Sequence, residues 1–448
     1  MATPDSQRRI TPAGDTDPPG QVLAPSRRFT LPAKPQPRYV GGNKIRLLEG
    51  GEALFPAMRE AIAQARHTVW LATYIFHDDE AARLVAEALA DAARRGVWVG
   101  VVVDGFGSKA SLLRVHEWLE PGGVNLAVFR PVDRWWRLMQ PGQLRRLHQK
   151  LCVIDHDQAF VGGINIIDDR NDLNHGWFNP PRLDHAVQIQ GPLVLEVEQA
   201  ARALWSRAAL GADWREELVQ VVRSAEPLAR AKRIFSRLRM PRSPESPPDV
   251  AAERLSEPQQ ALLLVRDNLR QRRVIEQAYV AAIASARDRV EIICPYFYPG
   301  RVFRRVLRHA AKRGVKVRLV LQGKADYRFA ALAAQVLYEE LLGSGVRIFE
   351  FTPTFLHAKV ALVDDDWATV GSSNIDPLSL LLNLEANVVV RDVDFTNDLA
   401  RSFEQAVARS REVLRYPAGQ GWWGVARRGF VAWVAYWFLR LAGMNGRY

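Results

Sequence analysis

The chain has 448 residues, 48% of them hydrophobic, with 61 Lys and Arg set against 49 Asp and Glu for a formal net charge of +12. Length and apolar content suffice for two to three cored globular domains, and the positive excess asks for an anionic partner, either nucleic acid or an anionic membrane surface. The two cysteines, Cys152 and Cys294, sit in apolar strand-like runs, which argues against a disulfide framework and for a reducing compartment in which both are small buried hydrophobes.

Residues 1–38 are rich in Pro, Arg, Thr and Asp and have no apolar h-region, so disorder is expected there, not a signal peptide or a membrane anchor. A first half is expected over residues 39–223. In it, Ala61 to Arg66 ends a helix, Val69 to Tyr74 reads as a buried strand, and Ala93-Arg94-Arg95-Gly96-Val97 closes a second helix before the valines of the next strand. Residues 224–258, rich in Arg, Pro and Ser, read as a basic linker that is either a solvated connector or a contact for anionic lipid heads. A second half over 259–415 repeats the first: Ala282 to Arg287 before Val290, Ala311-Lys312-Arg313-Gly314-Val315 before Val317, and Gly345-Val346 where the first half has Gly123-Val124. Strand and helix alternate throughout, so each half should be an α/β layer structure on a mixed or parallel sheet, the product of an internal duplication.

Residues 416–448 form a tail in which Trp422, Trp423, Arg427 and Arg428 precede an apolar run containing Trp433 and Trp437. The run is too short to span a bilayer, which takes about 20 apolar residues. Its Trp, Tyr and Arg suit a membrane interface, and that reading is preferred to an ordinary core helix. Trp135 and Trp136, among Arg134, Arg137, Arg145 and Arg146, make a second aromatic and basic patch that is equally compatible with burial.

One string occurs twice. His148-Gln149-Lys150, Asp155, Gly162-Gly163 and Asn165 recur as His357-Ala358-Lys359, Asp364, Gly371-Ser372 and Asn374, each reading H-x-K-x4-D-x6-G-[GS]-x-N. His and Lys two apart share one face of an extended strand and point into one site. Lysine supplies fixed charge, the Asn amide supplies donors, and a neutral imidazole can attack phosphorus or exchange protons near neutral pH. A facing pair of copies gives a nucleophile and a general acid/base of the same type. Asp155 and Asp364 lie an odd number of residues past the lysines and so point to the opposite strand face, as structural partners of buried polar groups.

This twin motif resembles the phospholipase D superfamily, whose HKD signature occurs twice per active site. The resemblance implies two tandem α/β/α sandwich halves with mixed sheets in a pseudo-two-fold arrangement around one site, and a covalent phosphohistidine with no metal and no cofactor. It makes His148 and His357 the reacting pair, with Lys150, Lys359, Asn165 and Asn374 on the phosphate oxygens. His148 is taken as the nucleophile, although nothing in the sequence separates the two. It also places a histidine-orienting carboxylate at Glu385 in the second copy, with Asp184 as the first-copy candidate at a longer offset; the extra residues, Trp177 and Phe178 among them, should loop near the site. Ser372 matches the motif and Gly163 replaces its serine.

Arg94-Arg95-Gly96-Val97, Asp104-Gly105-Phe106-Gly107-Ser108, Arg266-Asp267-Asn268, Ala368 to Ser379 and Leu382 to Asn387 look like bacterial cardiolipin synthases over about residues 40–410, and the shorter B-type most of all. That resemblance implies transfer between two phosphatidylglycerols. A hydrolase or transphosphatidylase using another donor or acceptor, such as phosphatidylethanolamine, and a superfamily nuclease are the alternatives. Expected partners are the anionic phospholipids phosphatidylglycerol and cardiolipin and a membrane surface, with no nucleic acid; the oligomeric state stays open. The expected location is peripheral, on the cytoplasmic face of the cell membrane.

Overall fold

The computed structural model describes residues 38–131, 145–173, 176–209, 259–266, 273–323, 337–376, 379 and 383–414. The N-terminal segment up to residue 37, the Trp135/Trp136 patch, the linker at 224–258 and the tail at 416–448 lie outside them.

The first half runs β1 (Val40–Glu49), α1 (Gly50–Gln64), β2 (Thr68–Thr73), α2 (Glu80–Arg94), β3 (Trp98–Asp104), α3 (Leu112–Leu119), β4 (Asn125–Phe129), β5 (Leu151–Ile154), β6 (Gln158–Gly162), the two-residue strands β7 (Asn171–Asp172) and β8 (Gly176–Trp177), β9 (His185–Gln190) and α4 (Leu193–Ala209). The second runs β10 (Gln259–Arg266), α5 (Val274–Ser285), β11 (Arg289–Cys294), α6 (Arg301–Lys312), β12 (Lys316–Gln322), β13 (Arg347–Phe351), β14 (Val360–Val363), β15 (Trp367–Gly371), β16 (Glu385–Arg391), α7 (Val393–Ala408) and β17 (Ser410–Glu412).

Outward from the centre, the first half orders its strands β1-β9-β6-β5-β2-β3-β4 and the second β10-β16-β15-β14-β11-β12-β13, with β17 added at the edge. The two orders correspond strand for strand. Antiparallel pairing of β1 with β10, through Val40 opposite Ala261 and Asn43 opposite Gln259, fuses them into one 15-stranded sheet. Among the described strands, β2-β3-β4 and β11-β12-β13 pair in parallel and the rest antiparallel, so the sheet is mixed. Buried Asn43 joins the halves, donating to Gln259 O of β10 at 3.3 Å and to Val40 O at 2.7 Å while accepting the Leu193 N–H at 2.9 Å.

Every residue of β2, β5 and β14 is buried, and the period of two divides each strand between two cores. In β5, Leu151 and Val153 enter the core shared by both halves, which also holds Val360 and Leu362 of β14 and side chains of α4 and α7. Cys152 and Ile154 face the α1/α2 core, while Ala361 and Val363 face the α5/α6 core. Full burial of one such aliphatic chain stabilises the fold by about 1.5–3 kcal/mol. Both cysteines are buried and unpaired with each other.

The basic residue and glycine that end α2 and α6 do more than stop a helix. Gly96 and Gly314 take φ of +92° and +96°, a conformation that costs a side-chain-bearing residue energy, and release the chain into the next strand. The arginine before each glycine reaches the preceding helix: Arg95 donates to Ile62 O at 3.0 Å, and Arg313 to Ala286 O at 3.0 Å. These cations donate to carbonyls at the C-terminal ends of α1 and α5 and oppose the negative ends of their dipoles.

Candidate active site

The segment leading into each motif does not pair within its own half. Leu147 bridges Leu384, with His148 N–H donating to Leu384 O at 3.0 Å and Leu384 N–H to Arg146 O at 2.9 Å. Leu183 bridges Leu356 in the same way, and His357 N–H donates to Leu183 O at 2.9 Å. Each histidine is thereby set against the residue that opens β16 or the one that precedes β9, Glu385 and Asp184.

The consequence is an exchange of carboxylates. His148 Nδ1 lies 3.0 Å from Glu385 Oε2, and His357 Nδ1 lies 2.6 Å from Asp184 Oδ2. Chain position assigns Glu385 to the second copy and Asp184 to the first; the contacts cross between the copies. Spacing along a chain cannot reveal which imidazole a carboxylate meets, because that depends on the junction of the halves. With Nδ1 held, Nε2 is the nitrogen of each ring left for chemistry.

The two pairs are built differently. Ser372 Oγ donates to Glu385 Oε2 at 2.5 Å and accepts the Ala386 N–H at 3.0 Å. Gly163 stands where the first copy would have that serine, and a β-carbon there would sit 2.3 Å from Asp184 Oδ1. Serine with the longer Glu, and glycine with the shorter Asp, are therefore two matched sets. Burial pushes the Glu385 carboxyl up, but His148, Lys150 and the Ser372 hydroxyl outweigh it and hold Glu385 below its usual value. For Asp184 burial wins over Lys359 and the His185 amide, and its carboxyl is raised.

Lys150 and Lys359 are buried, and each donates to the carbonyl of its own motif histidine, Lys150 at 2.8 Å. Burial lowers Lys150 to about 7, with Glu385 opposing and Lys359 adding to the shift. It lowers Lys359 to about 8 against Asp184. Burial also lowers both histidines. Glu385 restrains the drop at His148, whereas Lys359, Arg182 and Lys150 drive His357 well below 6.5. Charges from both copies act on every one of these groups, so the two motifs form one site.

Asn165 and Asn374 are both buried just beyond β6 and β15. Asn165 Oδ1 accepts the Ile75 N–H at 3.2 Å, while Asn374 Oδ1 has no hydrogen-bond partner among the described residues. Of the expected loop residues, Phe178 stands beside the site, packed edge-on against Phe355, two residues before His357, while Trp177 is exposed and pairs with Asn171. Arg182 and Tyr74 escaped sequence reasoning. Arg182 acts on His357 and is held by Asn171 O at 2.8 Å, while the Tyr74 ring lies 5.2 Å from that of His148 and 5.6 Å from Lys150 Nζ. Their only sequence signal was adjacency, to Asp184 and to the end of β2.

The motif aspartates sit at the far end of their strands. Asp155, at φ +50°, accepts the N–H groups of Arg66, His67 and Thr68 at 2.6–2.8 Å; Asp364, at φ +51°, accepts those of Arg287, Asp288 and Arg289 at 2.8–3.1 Å. Their partners are amides of the partly exposed turns after α1 and α5, not the buried polar groups expected from the alternation.

A family model described as "Cardiolipin synthase, PLD-like domain" matches residues 58–177 and 279–407, one range in each half. Cardiolipin synthase B of Escherichia coli (strain K12) is 35% identical over 404 residues, which cover 89% of this chain and 88% of that protein. Cardiolipin synthase A of Pseudomonas putida (strain GB-1) is 30% identical, over 84% of this chain and 70% of that one. The crystal structure of phosphatidylserine synthase from Haemophilus influenzae Rd KW20 superposes with a TM-score of 0.57 at 14% identity, covering 91% of this chain and 97% of the other, a likeness of fold. The duplicated sheet, the twin motif and these matches agree: the chain belongs to the phospholipase D-like cardiolipin synthase family.

Proposed function

We propose that the protein is a cardiolipin synthase, a phosphatidyltransferase that joins two phosphatidylglycerols through a phosphohistidine and releases glycerol. The observation that carries this reading is the pair of crossed contacts, His148 with Glu385 and His357 with Asp184, around Lys150 and Lys359. A phosphodiester anion between the two lysines would be neutralised and oriented. Nε2 of one histidine attacks phosphorus; the other imidazolium gives its proton to the departing glycerol oxygen, leaving phosphatidyl-histidine and free glycerol. The second histidine, now neutral, takes the proton from a headgroup hydroxyl of another phosphatidylglycerol. That oxygen attacks phosphorus, the P–N bond breaks, and cardiolipin leaves. Both histidines start neutral because burial lowers them, and the bound anion favours protonating the acid. Between the steps, water has to be kept from the intermediate, and an apolar, lipid-covered mouth would do so.

Asn165 and Asn374 are read as donors to the phosphate oxygens. No helix among the described residues is long and apolar enough to cross a membrane. Peripheral attachment to the cytoplasmic face of the cell membrane is read from the net charge of +12 and from Trp422, Trp423, Arg427, Arg428, Trp433 and Trp437. Mass spectrometry of products from purified protein and phosphatidylglycerol, with and without phosphatidylethanolamine, tests the proposal. Cardiolipin and glycerol in equal amounts from phosphatidylglycerol alone are expected. Phosphatidic acid as the main product, or cardiolipin only when phosphatidylethanolamine is present, would replace the reading with hydrolysis or a mixed-donor transfer.

A further inference from the structure

The last residue of the third strand in each half is polar, and its side chain reaches the residue just before the reacting histidine. Asp104 closes β3 and Gln322 closes β12, and they occupy matching places: each is paired in parallel with the last residue of the next strand, Phe129 or Phe351. Asp104 Oδ2 accepts the Leu147 N–H at 2.9 Å, and Gln322 Oε1 accepts the Leu356 N–H at 2.6 Å. Leu147 and Leu356 are the residues whose bridges to the opposite half deliver His148 and His357.

The first-half version is more heavily built. Asp104 is fully buried, its Oδ1 accepts the N–H of Phe106 at 2.8 Å and of Gly107 at 3.2 Å, and Arg146 Nη1 lies 3.8 Å away. The turn it organises continues through Ser108, whose hydroxyl accepts the Phe76 N–H at 3.0 Å and donates to Tyr74 O at 3.1 Å. Asp104-Gly105-Phe106-Gly107-Ser108 thus connects the approach to His148 with the loop that carries Tyr74. The second half meets the same backbone need with a neutral amide.

We propose that Asp104 and Gln322 are positioning residues that fix the approach of His148 and His357 through the backbone N–H preceding each, and that Asp104 adds a buried negative charge to the first-half side only. This rests on the reading of those histidines as the reacting pair. Burial raises the Asp104 carboxyl against Arg146 and the three backbone amides it accepts, and a histidine displaced by about 1 Å loses about a hundredfold in rate.

The test measures phosphatidylglycerol turnover by the full chain carrying Asp104→Asn or Gln322→Met. Asp104→Asn sets an N–H donor against either the Leu147 N–H or those of Phe106 and Gly107, and Gln322→Met deletes the acceptor at similar length. Each should cut kcat by about tenfold to a hundredfold while KM changes by less than about threefold. The pH profile separates the two. The charges that act on Lys150 are those of Glu385, Lys359, Asp184 and Asp104, in falling order, and its Nζ lies against the His148 carbonyl and the Tyr74 ring. Losing the Asp104 charge should therefore move the alkaline limb of kcat/KM to lower pH, and Gln322→Met should leave it in place. A merely structural role would lower the melting temperature and the folded fraction without splitting kcat from KM or moving the limb. Wild-type kcat in a folded Gln322→Met protein would overturn the proposal even if Asp104→Asn failed to fold, and losses tracking the folded fraction would do the same. His148→Ala and His357→Ala in the same assay separate the two levels: if they stay active the site reading fails, whereas if they are dead and both positioning variants run at wild-type rate, only the positioning inference fails.

Discussion

The two halves of the molecule share a strand order down to the last pair, yet the surroundings of their histidines differ at three matched points. The first half supplies Asp184 with Gly163 beside it and Asp104 behind its approach segment; the second supplies Glu385 with Ser372, and Gln322. Backbone needs were met twice by the same geometry and the histidines and lysines were kept in both copies, while the side chains that surround them diverged at these three points. Because the carboxylates cross over, a change made in one half should be felt at the histidine of the other.

Removing either histidine is the largest perturbation. His148→Ala and His357→Ala should each reduce cardiolipin formation by about 10⁴-fold or more, since two groups acting as a unit fail together. Circular dichroism should remain that of the wild type. A variant of either kind with near wild-type turnover would dismiss the two-histidine scheme.

The matched sets come next. Gly163→Ser should drive the Asp184 carboxylate away from His357, costing about a hundredfold in kcat. Ser372→Ala deletes one hydrogen bond to a charged acceptor, worth about 1.5–3 kcal/mol, and should cost about tenfold or somewhat more. If Gly163→Ser were harmless, the two sets would be interchangeable and the comparison of the halves would lose its point.

On the alkaline side of a pH profile the two lysines should add their own fall to that of the histidine that has to act as the acid. Lys150 at about 7 and Lys359 at about 8 are cationic below those values and neutral above them, so kcat/KM should fall as pH rises through 7 to 8. A bound phosphodiester anion raises both lysines, which places the limb of kcat at higher pH than that of kcat/KM. Coincident limbs would contradict a phosphate held between the lysines.

The smallest effect is expected at the motif aspartates. Asp155→Asn or Asp364→Asn forfeits part of a three-amide cap and should cost about 1–2 kcal/mol of stability, read as a melting temperature lower by a few degrees. Turnover per folded molecule should stay near that of the wild type. A large loss of kcat at unchanged stability would give these residues a chemical role.

Much of the layout was legible because it is written locally. Glycines after basic helix ends, apolar runs of strand length and a motif with fixed offsets all report on neighbours a few residues away, and each of these features recurs in the other half. The crossed carboxylates were not legible, since His148 and Glu385 are 237 residues apart and meet across the halves, where Leu147 bridges Leu384. Asp104 is another such case. In sequence it reads as part of a glycine-rich family marker, and its contact with the Leu147 amide, 43 residues on, becomes visible only once the end of β3 meets the segment leading to β5. Arg95 and Arg313 read as charges on their own helix ends, whereas they cap the helix before.

The exchange of partners between the halves can be measured at the histidine rings. Titration of the imidazole resonances by two-dimensional NMR in the wild type, Glu385→Gln and Asp184→Asn would follow each pair separately. Glu385→Gln should lower the pKa of His148, and Asp184→Asn should act chiefly on His357. Glu385→Gln moving His357 while His148 stays put would contradict a single site assembled from both halves.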